Sequence, residues 1–154
     1  MKQIKLFLVM VLLAAGVQSN AQTKPAATKY KVPKLFTSIG NLKDTLNIIS
    51  VSEAEHIIGK ALAITDEKKG LYSISSYQFM YRKKGVTEDE ATGKVSPITS
   101  IVANRFKITP LPDTWVTQVR EQVKPGEELY FFDVIAKDAQ GRIMYAPNLK
   151  IIVK

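Results

Sequence analysis

The stretch Glu128–Lys137, with the sequence ELYFFDVIAK, decides the fold of this 154-residue chain. Between its charged ends it is apolar on both faces except for Asp133, which is typical of a central strand. Residues 138–141 (DAQG) follow, and residues 143–153 then carry mostly apolar side chains at every odd position. This period of two predicts a second strand with one face on the core, paired with the first as an antiparallel hairpin. Pro147 has no N–H for a ladder, so the second strand lies at an edge or is interrupted there.

A third strand is predicted over residues 71–82, and its apolar pattern changes phase in the middle. Tyr72 and Ile74 are even-numbered, whereas Tyr77, Phe79 and Tyr81 are odd-numbered. A shift of one residue turns every later side chain to the other face of a sheet, so we expect a β-bulge at Ser75-Ser76. Weaker strand patterns cover residues 46–51, 61–65 and 98–108.

Two short helices are expected between the strands. Ser52 and Glu55 have the spacing of a capping box, which would begin a helix of one or two turns ending near Gly59. A second helix is predicted over residues 113–124, with Asp113 as its N-cap and Pro125-Gly126 after its end. Its apolar residues share one side at helical spacing: Trp115, Val116, Val119 and Val123. Many strands with few short helices predict a mostly β fold, an antiparallel β-sandwich with one or two short helices.

The first segment of the chain has the pattern of an export signal. Lys2 and Lys5 precede an apolar run over residues 6–15, and small residues follow at Ser19 and Ala21. We therefore expect a signal peptide over residues 1–21, because a membrane-spanning helix needs about 20 apolar residues. Residues 22–34 are interpreted as a flexible basic leader, and residues 35–154 as a single domain. The localisation expected is periplasmic or secreted, with no stable membrane insertion after signal removal.

The composition excludes several kinds of chemistry. The chain has no cysteine and one histidine, so a disulfide framework, a thiolate nucleophile and a multi-histidine metal site are ruled out. His56 has no recognisable catalytic partner, and the acidic run at residues 88–90 lacks the spacing of a calcium loop. Asp133 is interpreted as exposed or paired, with a structural role, because an unpaired carboxylate in an apolar strand is costly. The sequence thus predicts no enzyme, and no catalytic, cofactor-binding or metal-binding residue.

The chain is basic, with a formal charge of +8, but its lysines and arginines are spread out. The densest spots are Lys68-Lys69 and residues 82–84, which we expect at opposite ends of the sheet. Such spacing suits solubility or weak attraction to anionic glycan and lipid surfaces. A nucleic-acid-binding surface typically has basic residues interleaved with aromatic residues on one face, and the basic residues here are dispersed. We therefore expect no nucleic-acid partner.

Residues 125–134 (PGEELYFFDV) and 138–142 (DAQGR) resemble the C-terminal domain of the gliding-motility protein M family, the periplasmic shaft of the type IX secretion system of Bacteroidetes. In that family a helix, a Pro-Gly-acidic turn, an aromatic-rich strand, a hairpin and a final strand follow in this order. Residues 71–85 and 104–106 (NRF) are also similar to family segments. The resemblance covers about residues 44–154, and it implies an immunoglobulin-like β-sandwich that contacts other proteins. Family members also carry a membrane helix and further domains, so their motor role is not expected here.

The function expected from the sequence is that of a secreted, non-enzymatic periplasmic interaction domain, an accessory of type IX secretion or gliding machinery. The alternative is a module that binds envelope glycan or peptidoglycan. The partner would be an envelope protein, a homodimer is a further expectation, and the sequence assigns no partner-binding residue.

Overall fold

The computed structural model describes residues 30–43 and 45–154. The chain divides into two units, Met1–Lys31 and Val32–Lys154, and the second contains all the secondary structure described below. The expected signal peptide, residues 1–21, and most of the expected leader, residues 22–34, lie outside the described residues. In the part of the chain that the structure describes, no helix has the length and apolarity needed to cross a membrane.

Eight strands and two helices make up the described fold. In chain order they are β1 (Leu35–Ile39), β2 (Leu46–Ile49), α1 (Val51–Ile57), β3 (Leu62–Asp66), β4 (Leu71–Glu88), β5 (Val95–Phe106), α2 (Asp113–Gln122), β6 (Glu128–Lys137), β7 (Ile143–Ala146) and β8 (Leu149–Val153). The expected mostly β fold with short helices is confirmed. No sequence pattern predicts β1.

The strands form one curled, mixed sheet in the order β1-β3-β4-β6-β8-β2, with β5 on β4 and β7 on β6. Every pairing is antiparallel except one, because β2 runs parallel to β8. A hairpin connection forces neighbouring strands to be antiparallel, but β2 and β8 are far apart in sequence and are free of that constraint. The β-sandwich and its immunoglobulin-like form both stay predictions.

β4 and β6 lie at the centre of the sheet, and both change phase at the same level. Ile74 pairs with Ala136 and Gln78 with Phe132, with register shifts on either side of the Ser76–Ile135 pair. The first shift confirms the bulge expected at Ser75-Ser76. The second adds a residue to β6 at Asp133, whose φ of 48° lies in the left-handed region. The two bulges offset each other, so both strands keep their apolar residues on the core side.

The paired bulges explain the sequence of β6, which looked apolar on both faces. Leu129 and Phe131 are buried before the bulge, and Val134 and Ala136 are buried after it. The opposite face carries Tyr130 and other residues that are only partly buried. β6 is a central strand as predicted, and Asp133 is accommodated because the bulge turns it towards solvent.

The last two strands correct the single alternating strand expected over residues 143–153. The chain is interrupted between β7 and β8 at Pro147-Asn148, as Pro147 predicted, but the phase also changes there. Ile143 and Tyr145 are exposed and Met144 is buried, so the expectation of one odd-numbered core face holds only for β8. Because the chain is interrupted between β7 and β8, the buried positions change from even-numbered in β7 to odd-numbered in β8. An apolar pattern read as one continuous strand does not predict this change.

The helices begin at other caps than those predicted. The hydroxyl of Ser50, not Ser52, accepts a hydrogen bond from the Glu53 N–H at 3.3 Å, so the capping box between Ser52 and Glu55 is wrong. Asp113 is the first helical residue of α2 rather than its N-cap, and the N-cap position holds Pro112 without a side-chain bond. Since the helix ends were predicted to within two residues, the errors concern which group caps, not where each helix lies.

The core consists of buried strand residues packed with buried residues of both helices, to which α2 contributes Val116 and Val119. Tyr77, Phe79 and Tyr81 are fully buried, as their alternation predicted. Trp115 of α2 packs edge-on against Phe79 and Phe106 at centroid distances of 5.7 and 5.5 Å. This geometry is favoured between aromatic rings and fixes α2 across β4 and β5.

Candidate functional site

The second half of β4 leaves the main sheet together with the first half of β5. Pairing with β6 ends at Arg82–Glu128, whereas pairing with β5 continues to Glu88–Val95. We call the segments 83–88 and 95–100 the β-arm. Six residue pairs at about 3.4 Å each make a two-stranded ribbon roughly 20 Å long. Within the described residues its strands pair only with each other.

The tip of the β-arm is closed by Asp89. Its carboxylate accepts hydrogen bonds from the N–H groups of Ala91 and Thr92 and from the Thr92 hydroxyl, at 2.8–3.0 Å. The side-chain and backbone bonds from Thr92 hold the pKa of Asp89 below its usual range. The acidic run at residues 88–90 therefore lies at the end of β4 and in the turn that follows, and the Asp89 side chain stabilises that turn. No group of three or more metal-ligating side chains is found among residues 30–43 and 45–154.

The base of the β-arm is fastened by a buried carboxylate, Glu127, which is 2% exposed. It accepts hydrogen bonds from the Tyr81 hydroxyl and from the N–H groups of Lys84 and Lys124, the last two at 3.0 Å. These donors belong to β4, to the β-arm and to the segment after α2. Burial, followed by the bond to Glu127, raises the pKa of Tyr81 well above its usual value. One side chain thus joins three parts of the fold where the β-arm departs.

A second set of contacts holds the inner side of the β-arm against α2. The Lys83 ammonium donates to the Gln122 side chain and lies 5.1 Å from the centroid of the Tyr81 ring. A groove of about 340 Å³ separates this side of the β-arm from the end of α2, with Ile98 and Glu121 among its lining residues. Lysines and glutamates both line the groove, so it does not define a site for a small molecule of one charge.

The outer edge of β5 is open among the described residues. No described strand pairs with it, and its residues are exposed except Ser96, Val102 and Phe106. Charges and prolines normally protect such edges from pairing with other chains. β5 has Pro97 near the tip and Arg105 near the base, but residues 98–104 (ITSIVAN) between them are uncharged. A long, uncharged, unpaired edge of this kind is a template for strand pairing.

The alternation of strand residues shows which backbone groups face outward. Pro97 has no N–H to give to β4, and the N–H of Arg105 bonds the Asn104 side chain at 2.8 Å instead. Both residues are odd-numbered, and residues of one parity in an antiparallel strand direct their N–H and C=O groups to the same side. Thr99, Ile101 and Ala103 therefore direct theirs to the free edge.

The outer face beside this edge is partly apolar. Val86, Val95 and Ile101 are 70%, 57% and 54% exposed and share this face of the β-arm and β5. Arg105 continues the same row, with its guanidinium 4.0 Å from the Asp133 carboxylate. That carboxylate already accepts a hydrogen bond from the Gln78 side chain. Asp133 was expected to be exposed or paired, and the structure shows both, with a half-exposed carboxylate that contacts Gln78 and Arg105.

The structure does not bring the other sequence candidates into one site. His56 is exposed in a shallow depression of about 430 Å³ lined by Ser52, Glu55 and Arg120. Arg120 donates to the Glu55 carbonyl at 2.9 Å, and no described carboxylate bonds the imidazole. Lys68 and Lys69 form the turn before β4, and Arg82 lies far along the same strand. The two basic spots are thus separated along β4, but the strand continues to Glu88, so residues 82–84 lie within it and not at the end of the sheet where they were expected.

Comparisons with known proteins return no match, either to a protein-family model or to a curated sequence. The resemblance to the gliding-motility protein M family therefore stays a proposal.

Sequence reasoning placed a weak strand at residues 98–108 but did not identify its edge as a site. The signal was present, because the segment VSPITSIVANRF contains one charge in twelve residues. What the sequence could not show is that β4 occupies one side of this strand and leaves the other side open.

Proposed function

We propose that this protein is an exported, non-enzymatic interaction domain that binds another envelope protein through the outer edge of β5. The observation that carries the proposal is the uncharged run at residues 98–104 with outward-directed backbone groups and no paired strand among the described residues. An extended segment of a partner gains main-chain hydrogen bonds at such an edge and specificity from alternate side chains.

The attachment of the β-arm supports the proposal. Binding to a rigid strand costs less ordering entropy than binding to a loop that must first be organised. Glu127 and the aromatic contacts of Trp115 hold the base of β4 and β5 in place. The edge is therefore presented in an extended conformation before a partner arrives.

A role as an accessory of type IX secretion or gliding machinery is the more specific form of this proposal. Its support is the order of elements that the resemblance implies: α2, the turn at Pro125-Gly126, the aromatic-rich β6, the hairpin turn before β7, and β8. The family's domain contacts other periplasmic proteins, and an accessible strand edge is suited to that task.

The alternative, a glycan or peptidoglycan binder, has less support. Its basic spots would have to act together, but they are far apart along β4. Tyr130 and Phe132 form a stacked pair with centroids 5.1 Å apart and planes at 14°, so each ring covers one face of the other. Binding to isolated sacculi that disappears at high salt would favour this alternative.

Site-specific photo-crosslinking in the cells that make the protein tests the main proposal. A photoreactive amino acid at Thr99 should give an adduct with another envelope protein, whereas the same group at Lys68, in the turn before β4, should not. Adducts at neither Thr99 nor Ile101 would contradict the proposal.

A further inference from the structure

We infer that the β5 edge takes an extended partner segment with an acidic residue facing Arg105 and an apolar residue facing Ile101. This inference rests on the proposed function and names the chemistry of the partner.

The spacing of the partner residues follows from the strand itself. Ile101, Ala103 and Arg105 lie on one face of β5, and a paired strand places its side chains directly opposite them. Side chains on one face recur every two residues, so the acidic and apolar residues of the partner are separated by three others. This spacing is the same whether the partner strand runs parallel or antiparallel to β5.

Charge identifies the acidic position. The Arg105 side chain is half exposed, and its only described carboxylate neighbour, Asp133, stands 4.0 Å away and is also bonded by Gln78. A carboxylate on an added strand would lie on the other side of Arg105, where no described residue competes for it. The apolar position follows from Ile101, which is 54% exposed beside a row of apolar side chains on the β-arm.

A second copy of the chain fits the edge less well. β5 contains no aspartate or glutamate, so any pairing between two β5 strands leaves Arg105 without a carboxylate opposite it. Each copy is also basic, with a formal charge of +8 for the full chain and +6 without Lys2 and Lys5 of the expected signal peptide, and this charge opposes association of two copies and attracts an acidic partner.

The test uses two fluorescein-labelled, capped peptides and the full chain. The first peptide is Val-Thr-Thr-Thr-Glu-Thr-Thr-Thr-Val, which offers the required spacing in both directions, and the second has Gln in place of Glu. Fluorescence anisotropy should show that the Glu peptide binds more tightly by about threefold, as expected of one exposed ion pair. Arg105→Gln should remove that difference between the two peptides.

Two variants at one position separate edge pairing from other modes of binding. Ala103→Pro removes an outward N–H without taking a bond from β4, as Pro97 already does in the same strand, and should weaken both peptides by about tenfold. Ala103→Thr keeps the N–H and should bind like the unmodified chain. Circular dichroism melts show whether each variant is folded, and Arg105→Gln keeps the test decisive if Ala103→Pro does not fold.

The outcomes separate the inference from the proposed function. Equal binding of the two peptides, together with an envelope adduct at Thr99, would overturn the acidic partner and leave the interaction role standing. If the Glu peptide binds more tightly than the Gln peptide but no adduct forms in cells, the proposed binding of an envelope protein would be overturned. The preference of the β5 edge for an acidic segment would still hold. A dimer in sedimentation that Ala103→Pro dissociates would overturn the inference in favour of a second copy.

Discussion

The buried carboxylate Glu127 provides the sharpest test of how the β-arm is held. Replacing it by alanine removes the acceptor for the Tyr81 hydroxyl and for the N–H groups of Lys84 and Lys124. A hydrogen bond to a charged group contributes about 1.5–3 kcal/mol, and a buried donor left without an acceptor costs about 1–3 kcal/mol. Water can reach Lys84 and Lys124, and the desolvation of the carboxylate is also removed. We therefore expect Glu127→Ala to lower the free energy of unfolding by about 2–4 kcal/mol.

Urea denaturation followed by circular dichroism measures this loss, and native-state hydrogen exchange locates it. The amides of Lys84 and Lys124 should exchange faster in Glu127→Ala, because each loses its acceptor. Glu127→Gln keeps one good acceptor and should cost less, about 1–2 kcal/mol. Combining Tyr81→Phe with Glu127→Gln in a double-mutant cycle should reveal a coupling energy of about 1 kcal/mol.

Glu121 supplies the matched control. It is an exposed glutamate of α2 that lines the same groove, and it makes no described bond to the β-arm. Glu121→Ala should change the free energy of unfolding by no more than about 0.5 kcal/mol. If Glu127→Ala were as mild as Glu121→Ala, the carboxylate would not fasten the base of the β-arm and the reasoning would be wrong.

Three further predictions concern the core, the β6 bulge and export. Burial raises the pKa of Tyr77 to about 12, against about 10 in the unfolded chain. The stabilisation from the neutral phenol is therefore complete below pH 10, and roughly 3 kcal/mol of the free energy of unfolding is lost as the pH rises from about 10 to about 12. Tyr77→Phe should flatten that part of the alkaline unfolding curve. Asp133→Ala should lower the free energy of unfolding by about 1–2 kcal/mol, because alanine is disfavoured at a φ of 48°. Its melting temperature should fall more than that of Asp133→Gly, since glycine adopts this φ freely. Equal melting temperatures of the two variants would argue against strain at the bulge. Intact mass spectrometry of the exported protein should give a chain that begins at Gln22, and a species retaining Met1 would refute the signal peptide.

Local patterns were sufficient for the central strands. The alternation of Tyr77, Phe79 and Tyr81 placed three fully buried side chains, and the change of parity upstream of them predicted a real bulge. These features are visible in sequence because side chains alternate within a single strand. The compensating bulge at Asp133 could not be derived in the same way, since it depends on how the partner strand aligns.

The errors arose where two local signals compete or where partners are distant. Ser50 lies just before α1 and Ser52 is its second residue, and the serine that caps is decided by where β2 ends and the helix begins. The parallel pairing of β2 with β8 joins segments that share no turn, so no local pattern predicts it. The open edge of β5 also depends on the order of strands in the sheet, so the sequence could not predict it. The lack of charge along β5 is visible in the sequence.

Amide hydrogen exchange along β5, measured by NMR with and without the Glu peptide, tests the interaction edge most directly. In the free chain the N–H groups of Ile101 and Ala103 should exchange quickly and that of Val102 slowly, since only the last is bonded to β4. Addition of the peptide should then slow Ile101 and Ala103 by about tenfold. Slow exchange of both amides in the free chain, or no change on adding the peptide, would contradict an edge that is open and ready to pair.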